Sequence, residues 1–404
     1  MTDGPTILQI IPDLDTGGAE RSAVEIAAAI VTAGGRALVA SRGGRLASGL
    51  AAAGGELIPF PAATKNPLNI LRNATRLSRL IKSENVVLIH ARSRAPAWSA
   101  LMAARQTRIP FVTTYHGAYG ETGPLKRLYN SVMARSDIVI ANSNYTADLI
   151  RQRYATPSAR IRVIHRGLDA SFDPALLTDA RRQAIRARWG VASDARIVLQ
   201  AARLTGWKGQ PVLIAAAAQL HRAGRLPDDV VLVLAGSAQG RDAYATELRR
   251  SIADAGLEKR ALLVGHEDDI PAAFGEAHVS VVASTEPEAF GRSAAESQAM
   301  CCPVIATRQG APPETVLAAP EHPGAAATGW LITPASAADL ADALAQALAM
   351  PDDARIEMGH RARRHVMARF TLGAMQRATL AVYDELLGTR LSAVPALDNL
   401  ADHA

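Results

Sequence analysis

A doubly wound α/β fold, built twice, is what the sequence predicts, and three observations carry it. Runs such as ILQII, VVLI and DIVIA are almost continuously apolar, the pattern of parallel strands covered on both faces. Helix-length segments fall between those runs. The alternation stops at a polar, arginine-rich stretch, residues 169–195, and then restarts.

In the first half the predicted strands are residues 6–12, 36–41, 56–60, 86–91, 111–115, 137–142 and 161–165, with helices such as 19–33, 67–82 and 95–105 between them. In the second half strands are predicted at 197–202, 230–235, 261–264, 279–283 and 304–306, with helices at 211–222 and 242–255. Helical segments at 336–349, 354–369 and 372–387 close the pattern, and residues 389–404 read as a loosely held tail.

The 404 residues are 49% hydrophobic and 20% charged, enough chain for two domains of ordinary size. Aromatics are only 4%, so Ala, Val, Leu and Ile must build the core. No apolar run reaches membrane-spanning length. The start, MTDGPTILQIIPDLD, has neither the basic region nor the apolar region of a secretory signal. The two cysteines, Cys301 and Cys302, are adjacent; that spacing suits neither a disulfide nor a zinc site and points to a reducing, cytoplasmic setting. Net charge is +6, split as +12 over residues 1–189 and −6 over the remainder. The basic half fits an anionic partner such as an anionic membrane surface, and fits solvated arginines on helix faces as well. Its basic residues lack aromatic interleaving, which argues against nucleic acid.

Ligands of open α/β sheets bind outside the carboxyl ends of the strands, so the loops there carry the chemistry. After the first strand, Gly17 and Gly18 precede a helix. They allow close backbone approach to a phosphate, or simply a tight turn. Nearby, Asp13-Leu14-Asp15 spells D-x-D, but at the first strand of the chain it is out of place for a metal, and no metal site is read there. His116-Gly117 ends the strand at 111–115, where a histidine can reach into a cleft or serve the core. Arg203 and Lys208 flank a glycine turn ahead of a helix, a setting suited to a diphosphate.

Glu288 and Glu296 fall in EPEAFGRSAAE. Ser293-Ala-Ala-Glu296 also fits a helix capping box. The paired carboxylates of glycosidases lie ~5–10 Å apart across one sugar, whereas eight helical residues span ~12 Å. Two glutamates so spaced suit different parts of one elongated ligand better than a hydrolytic pair.

The ordered set Gly17-Gly18, His116-Gly117, Arg203…Lys208-Gly209, Gly265, Glu288-x7-Glu296, Pro303-Val304-Ile305-Ala306 and Gly310-Ala-Pro-Pro-Glu314 resembles the family 4 retaining glycosyltransferases of the GT-B fold. The resemblance runs from about Ile7 to Leu387, and departs from the family pattern at Ala289, Arg292 and Ala311. It implies two Rossmann-like domains facing each other across a cleft, residues 1–178 on the acceptor side and 190–370 on the donor side, with a helix at 371–388 crossing back to the first. It implies that Glu296 holds the donor ribose and that Glu288 contacts the transferred sugar, helped by backbone N–H groups around Phe290 and Gly291. Arg203 and Lys208 then hold the diphosphate in place of a metal, Gly17 and Gly18 approach the phosphates and sugar, and His116 lines the acceptor side. No cofactor is implied beyond a UDP- or GDP-sugar donor. The expected job is transfer of a mannose- or glucose-type hexose to a lipid-linked or lipopolysaccharide-core saccharide, at the inner face of the membrane. A nucleotide-sugar epimerase on the same fold and a non-catalytic anion-binding protein are the rival readings.

Overall fold

The computed structural model describes residues 4–15, 17–121 and 123–394. Thr16 of the glycine loop and residues 395–404 of the expected tail lie outside the described residues. Contacts divide the chain into two units, Met1–Gly167 with Leu372–Ala404, and Leu168–Thr371.

The first unit holds seven parallel strands: β1 (Thr6–Ile10), β2 (Arg36–Ser41), β3 (Glu56–Pro59), β4 (Val86–Ala91), β5 (Phe111–Tyr115), β6 (Ile138–Ala141) and β7 (Ile161–Val163). Their order is β3-β2-β1-β4-β5-β6-β7. Apolar clusters cover both faces, one around Leu8, Ile10, Ile89 and Tyr115, the other around Ile7, Val39, Leu88 and Ile140. That two-sided burial is why the strands read as continuous apolar runs. The C-terminal helix, Leu372–Leu387, seals the second of those faces with Met375, Leu380 and Tyr383.

The second unit holds β8 (Arg196–Ala201), β9 (Val230–Ala235), β10 (Ala261–Gly265), β11 (Ala277–Val282), β12 (Val304–Thr307) and β13 (Gly329–Ile332). The order β10-β9-β8-β11-β12-β13 is the 3-2-1-4-5-6 order of dinucleotide-binding sheets. In each unit the order reverses beside the first strand, between β1 and β4 and between β8 and β11. Those reversals open the crevices where such sheets take ligands.

Two boundaries differ from the sequence reading. The sequence reading ended the first domain at 178 and began the second at 190, whereas the contacts divide the chain at Gly167/Leu168. The arginine-rich stretch is no linker: Asp179–Trp189 is a helix with Thr178 as its N-cap. Leu168, Phe172, Leu177, Ile185 and Trp189 are all buried in the second unit's core. Arg181 pairs with Asp269, Arg182 and Arg186 with Glu276, and Arg188 with Glu267. Partly exposed pairs of this kind contribute ~0–1 kcal/mol each, while burying Ile185 alone is worth ~1.5–3 kcal/mol. Apolar burial therefore fixes the helix, and the ion pairs neutralise it. Counted by unit, the charge split narrows to +9 and −3. The second difference concerns the tail: Asp384 accepts hydrogen bonds from Thr389 Oγ1 and from the N–H groups of Leu391 and Ser392, and Leu391 is buried. Residues 389–394 are thereby tied to the helix before them.

Candidate functional site

In the second unit, the loops following β8 and β11 meet at the strand-order reversal. The β8 loop runs through a 3-10 turn, Gly206–Lys208, into the helix Gln210–Arg222. Between them Gly209 has φ +73°, and a Cβ there would stand 1.9 Å from the carbonyl oxygen of Ala283. Only glycine meets both demands. The Trp207 carbonyl then accepts from Thr285 N–H at 2.8 Å, stitching the two loops together.

That stitching delivers Lys208 to Glu288. The Lys208 ammonium donates to Glu288 Oε1, to which Ser284 Oγ also donates at 2.6 Å. The lysine and glutamate side chains are 16% and 11% exposed, and Lys208 Nζ lies 4.2 Å from the Trp207 ring centroid. Glu288 is held from behind by a parallel bridge to Gly310, and its carbonyl accepts from Ala311 N–H at 2.9 Å. Gly310 has φ +79°, and a Cβ there would meet the Glu288 carbonyl oxygen at 2.3 Å. The Gly-Ala-Pro-Pro-Glu segment thus serves as the seat of Glu288.

Phe290 is buried in the core, its ring edge-on to Phe370. Its side chain therefore belongs to the core. Gly291 is the N-cap of the helix Arg292–Ala299, which carries Glu296. The capping-box alternative fails here. Ser293 lies inside the helix and its hydroxyl donates to the Ala201 carbonyl at the end of β8, 3.0 Å away. Glu296 instead accepts from Arg292 Nε at 2.9 Å, both side chains being mostly buried.

Arg203 is not drawn into this cluster. It is exposed, and among the described residues its guanidinium makes no hydrogen bond or ion pair, while its carbonyl accepts from Gln210 Nε2. Of the two cations expected on a diphosphate, Lys208 is seated and Arg203 is at the surface.

In the first unit, Gly17 caps the helix Gly18–Thr32 with an extended backbone, and neither glycine has a left-handed φ. A turn that demands glycine for its φ is therefore not the explanation for the pair. Asp13 forms a two-pronged ion pair with Arg42, and Asp15 accepts from Arg45 N–H. The D-x-D carboxylates are thus committed to neighbouring arginine residues. No group of three or more His, Cys, Asp and Glu side chains among the described residues could hold a metal ion.

His116 follows β5. Its Nδ1 lies 2.7 Å from Nη2 of Arg166, and the other terminal nitrogen of that guanidinium donates to the Gly18 carbonyl and the Ser22 hydroxyl. One buried arginine therefore joins the glycine loop to the histidine. Burial first, then the charges of Arg166 and Arg92 and the neighbouring His90, hold His116 well below the usual histidine range. It is neutral at physiological pH.

Arg166 and Ser284 were missed in the sequence. Arg166 lies 148 residues from Gly18 and 50 from His116, and no local pattern marks such a partner. Ser284, four residues before Glu288, was within reach as the polar residue ending an apolar strand.

Two family profiles tile the chain: "Glycosyltransferase Family 4" over residues 16–172 and "Glycosyl transferases group 1" over 181–365. A solved glycosyltransferase from Rickettsia africae is 33% identical, with TM-score 0.85, covering 95% of this chain and 99% of that one. A D-inositol 3-phosphate glycosyltransferase of Saccharomonospora viridis is 30% identical over 321 residues, 74% of this chain and 70% of its own. Anabaena HepE, solved with UDP-glucose, is 24% identical with TM-score 0.80, covering 94% of this chain and all of that one, and shares the fold. The chain spans about half the length of the first curated relatives it matches.

Proposed function

We propose that this chain, which belongs to the family 4 glycosyltransferases of the GT-B fold, moves a hexose of mannose or glucose type from a UDP- or GDP-sugar to a lipid-linked or lipopolysaccharide-core saccharide. The observation that carries the reading is the Lys208–Glu288–Ser284 contact set at the β8/β11 reversal, with Glu296 one helix turn beyond. In this reading Glu296 accepts from the ribose hydroxyls, and Glu288 accepts from hydroxyls of the transferred sugar, beside the backbone N–H groups near Phe290 and Gly291. Lys208 exchanges Glu288 for the diphosphate, and Arg203 reaches it from the surface. Their charge stabilises the departing nucleotide as a metal would elsewhere. Gly17 and Gly18 border the phosphates and sugar, and His116 faces the acceptor side. Anomeric configuration is retained.

The test is release of free nucleotide from a donor panel, with and without acceptor. UDP, GDP and ADP are ranked first by thermal shift, since a bound ligand raises apparent stability by mass action. Release that requires both donor and acceptor, and survives EDTA, is the expected result. Activity lost to EDTA and restored by manganese or magnesium overturns metal independence. Conversion of the donor sugar without acceptor favours the epimerase.

We infer peripheral docking on anionic membrane from the first unit. In that unit a short helix, Pro124–Asn130, passes into a 3-10 turn, Ser131–Ala134. Val132 and Met133 are core, whereas Leu125 and Leu128 are 82% and 53% exposed beside exposed Lys126 and Arg127. On the helix Pro67–Ser83, Leu68 and Leu71 are likewise exposed, among Lys65, Arg72 and Arg76. Exposed leucines bordered by cations suit an anionic lipid surface, where each nearby cation is worth ~1 kcal/mol within a Debye length of ~8–10 Å. No helix among the described residues is long and apolar enough to cross a membrane. Co-sedimentation with anionic vesicles should fall with salt and with Leu125→Ser/Leu128→Ser. Equal recovery with neutral and anionic vesicles, or none with either, removes this part of the reading.

A further inference from the structure

We propose that Arg166 is a positioning residue that locks His116 in the single tautomer able to donate through Nε2, so that His116 acts on the substrate as a hydrogen-bond donor and never as a base. The inference rests on the transferase reading for the identity of the substrate, but not for the state of the ring.

Arginine is a donor only and keeps its charge at every accessible pH. Its nitrogen at 2.7 Å therefore requires a lone pair on His116 Nδ1. A neutral ring with its lone pair on Nδ1 carries its proton on Nε2. A protonated ring would set N–H against N–H and cation against cation. The guanidinium cannot swing away to relieve that, because it is buried and held by the Gly18 carbonyl and the Ser22 hydroxyl. The other groups pressing on the ring, Arg92 and His90, oppose its charging as well.

Nε2 is buried and has no hydrogen-bond partner among the described residues. A buried donor without a partner is rare in native proteins. It fits a group kept for a ligand, here an oxygen of the bound sugar or acceptor. The same arginine grips the first turn of the helix behind the glycine loop, so the loop and the ring are set by one side chain. A purely structural Arg166 would staple β7 to that helix and leave the ring's state indifferent to its loss.

The experiment uses the intact protein with labelled histidine. Without substrate, ring nitrogen shifts should show Nε2 protonated and Nδ1 bare at physiological pH, with titration only below the usual histidine range. In Arg166→Met the ring should populate both tautomers and titrate higher than in the wild type, while burial, Arg92 and His90 still hold it below the usual histidine range. Its turnover should fall about 10- to 100-fold, the scale of a misplaced site group, with little change in donor KM. Arg166→Lys, which keeps a cationic donor, should retain the wild-type tautomer. Arg166→Met should cost less in a His116→Gln background than in the wild type. A wild-type ring protonated on Nδ1, or an Arg166→Met ring with unaltered tautomer and titration, overturns the proposal. Should Arg166→Met fail to fold, the wild-type and Arg166→Lys spectra decide. If instead no donor and acceptor pair yields product, the transferase reading fails while the ring spectra still stand.

Discussion

Lys208→Met is expected to lower turnover about 100- to 1,000-fold, the usual cost of removing one preorganised charge donor from a transition state, while the protein stays folded. The methionine chain fills the space of the lysine stem against Trp207. What disappears is the ammonium on Glu288 Oε1. Glu288 is then left mostly buried with Ser284 as its side-chain partner, and a stranded carboxylate lowers stability. Adding Glu288→Gln removes that stranded charge. The double variant should therefore regain much of the lost melting temperature and none of the lost turnover. This divergence separates a catalytic pair from a structural one, because a salt bridge that only holds two loops together would restore both together. Nucleotide release and thermal unfolding of the two single variants and the double variant are the measurements. Lys208→Met with wild-type turnover sinks the assignment of Lys208 to the leaving group.

Much of the architecture was open to sequence reading because of how the sheets are buried. β2, β4, β5 and β9 lie at the residues expected, since strands covered on both faces leave uninterrupted apolar runs. β13 was missed: Gly329–Ile332 is four residues long, and two of its side chains are only partly buried. The Asp179–Trp189 helix was missed for the opposite reason. Its core contact is made by Ile185 and Trp189, and the four arginines around them imitate a solvated linker. Loop placement at the strand ends was legible because the doubly wound order dictates it. Pairing was not: Ser293 looked like a cap from its neighbours, yet its partner is Ala201, 92 residues away. The Arg166 contacts likewise depend on tertiary placement, which no periodicity encodes.

Glu296→Gln should weaken UDP or GDP binding by about 10- to 100-fold with almost no change in melting temperature. The helix carrying Glu296 begins after Gly291 without a side-chain cap, so the glutamate has no capping duty to lose. Its visible bond is to Arg292, and that pair is poorly placed for helix stability. Arg292 is the first helical residue, where the helix dipole disfavours a cation, and the acid lies C-terminal to the base, the weaker order. The glutamine carbonyl can still accept from Arg292 Nε, so the fold keeps that contact. The other carboxylate oxygen becomes an NH₂ group, and a charged acceptor for a ribose hydroxyl turns into a donor. Hydrogen bonds to charged groups are worth ~1.5–3 kcal/mol, and ~1.4 kcal/mol is tenfold in affinity, which sets the expected range. Glu296→Ala should behave differently, losing stability as well because it removes the carboxylate that accepts from Arg292 Nε. Calorimetric titration of each variant with nucleotide, beside its unfolding curve, tells the two losses apart. An unchanged nucleotide affinity in Glu296→Gln removes the ribose from Glu296, and leaves its bond to Arg292 as the whole of its role.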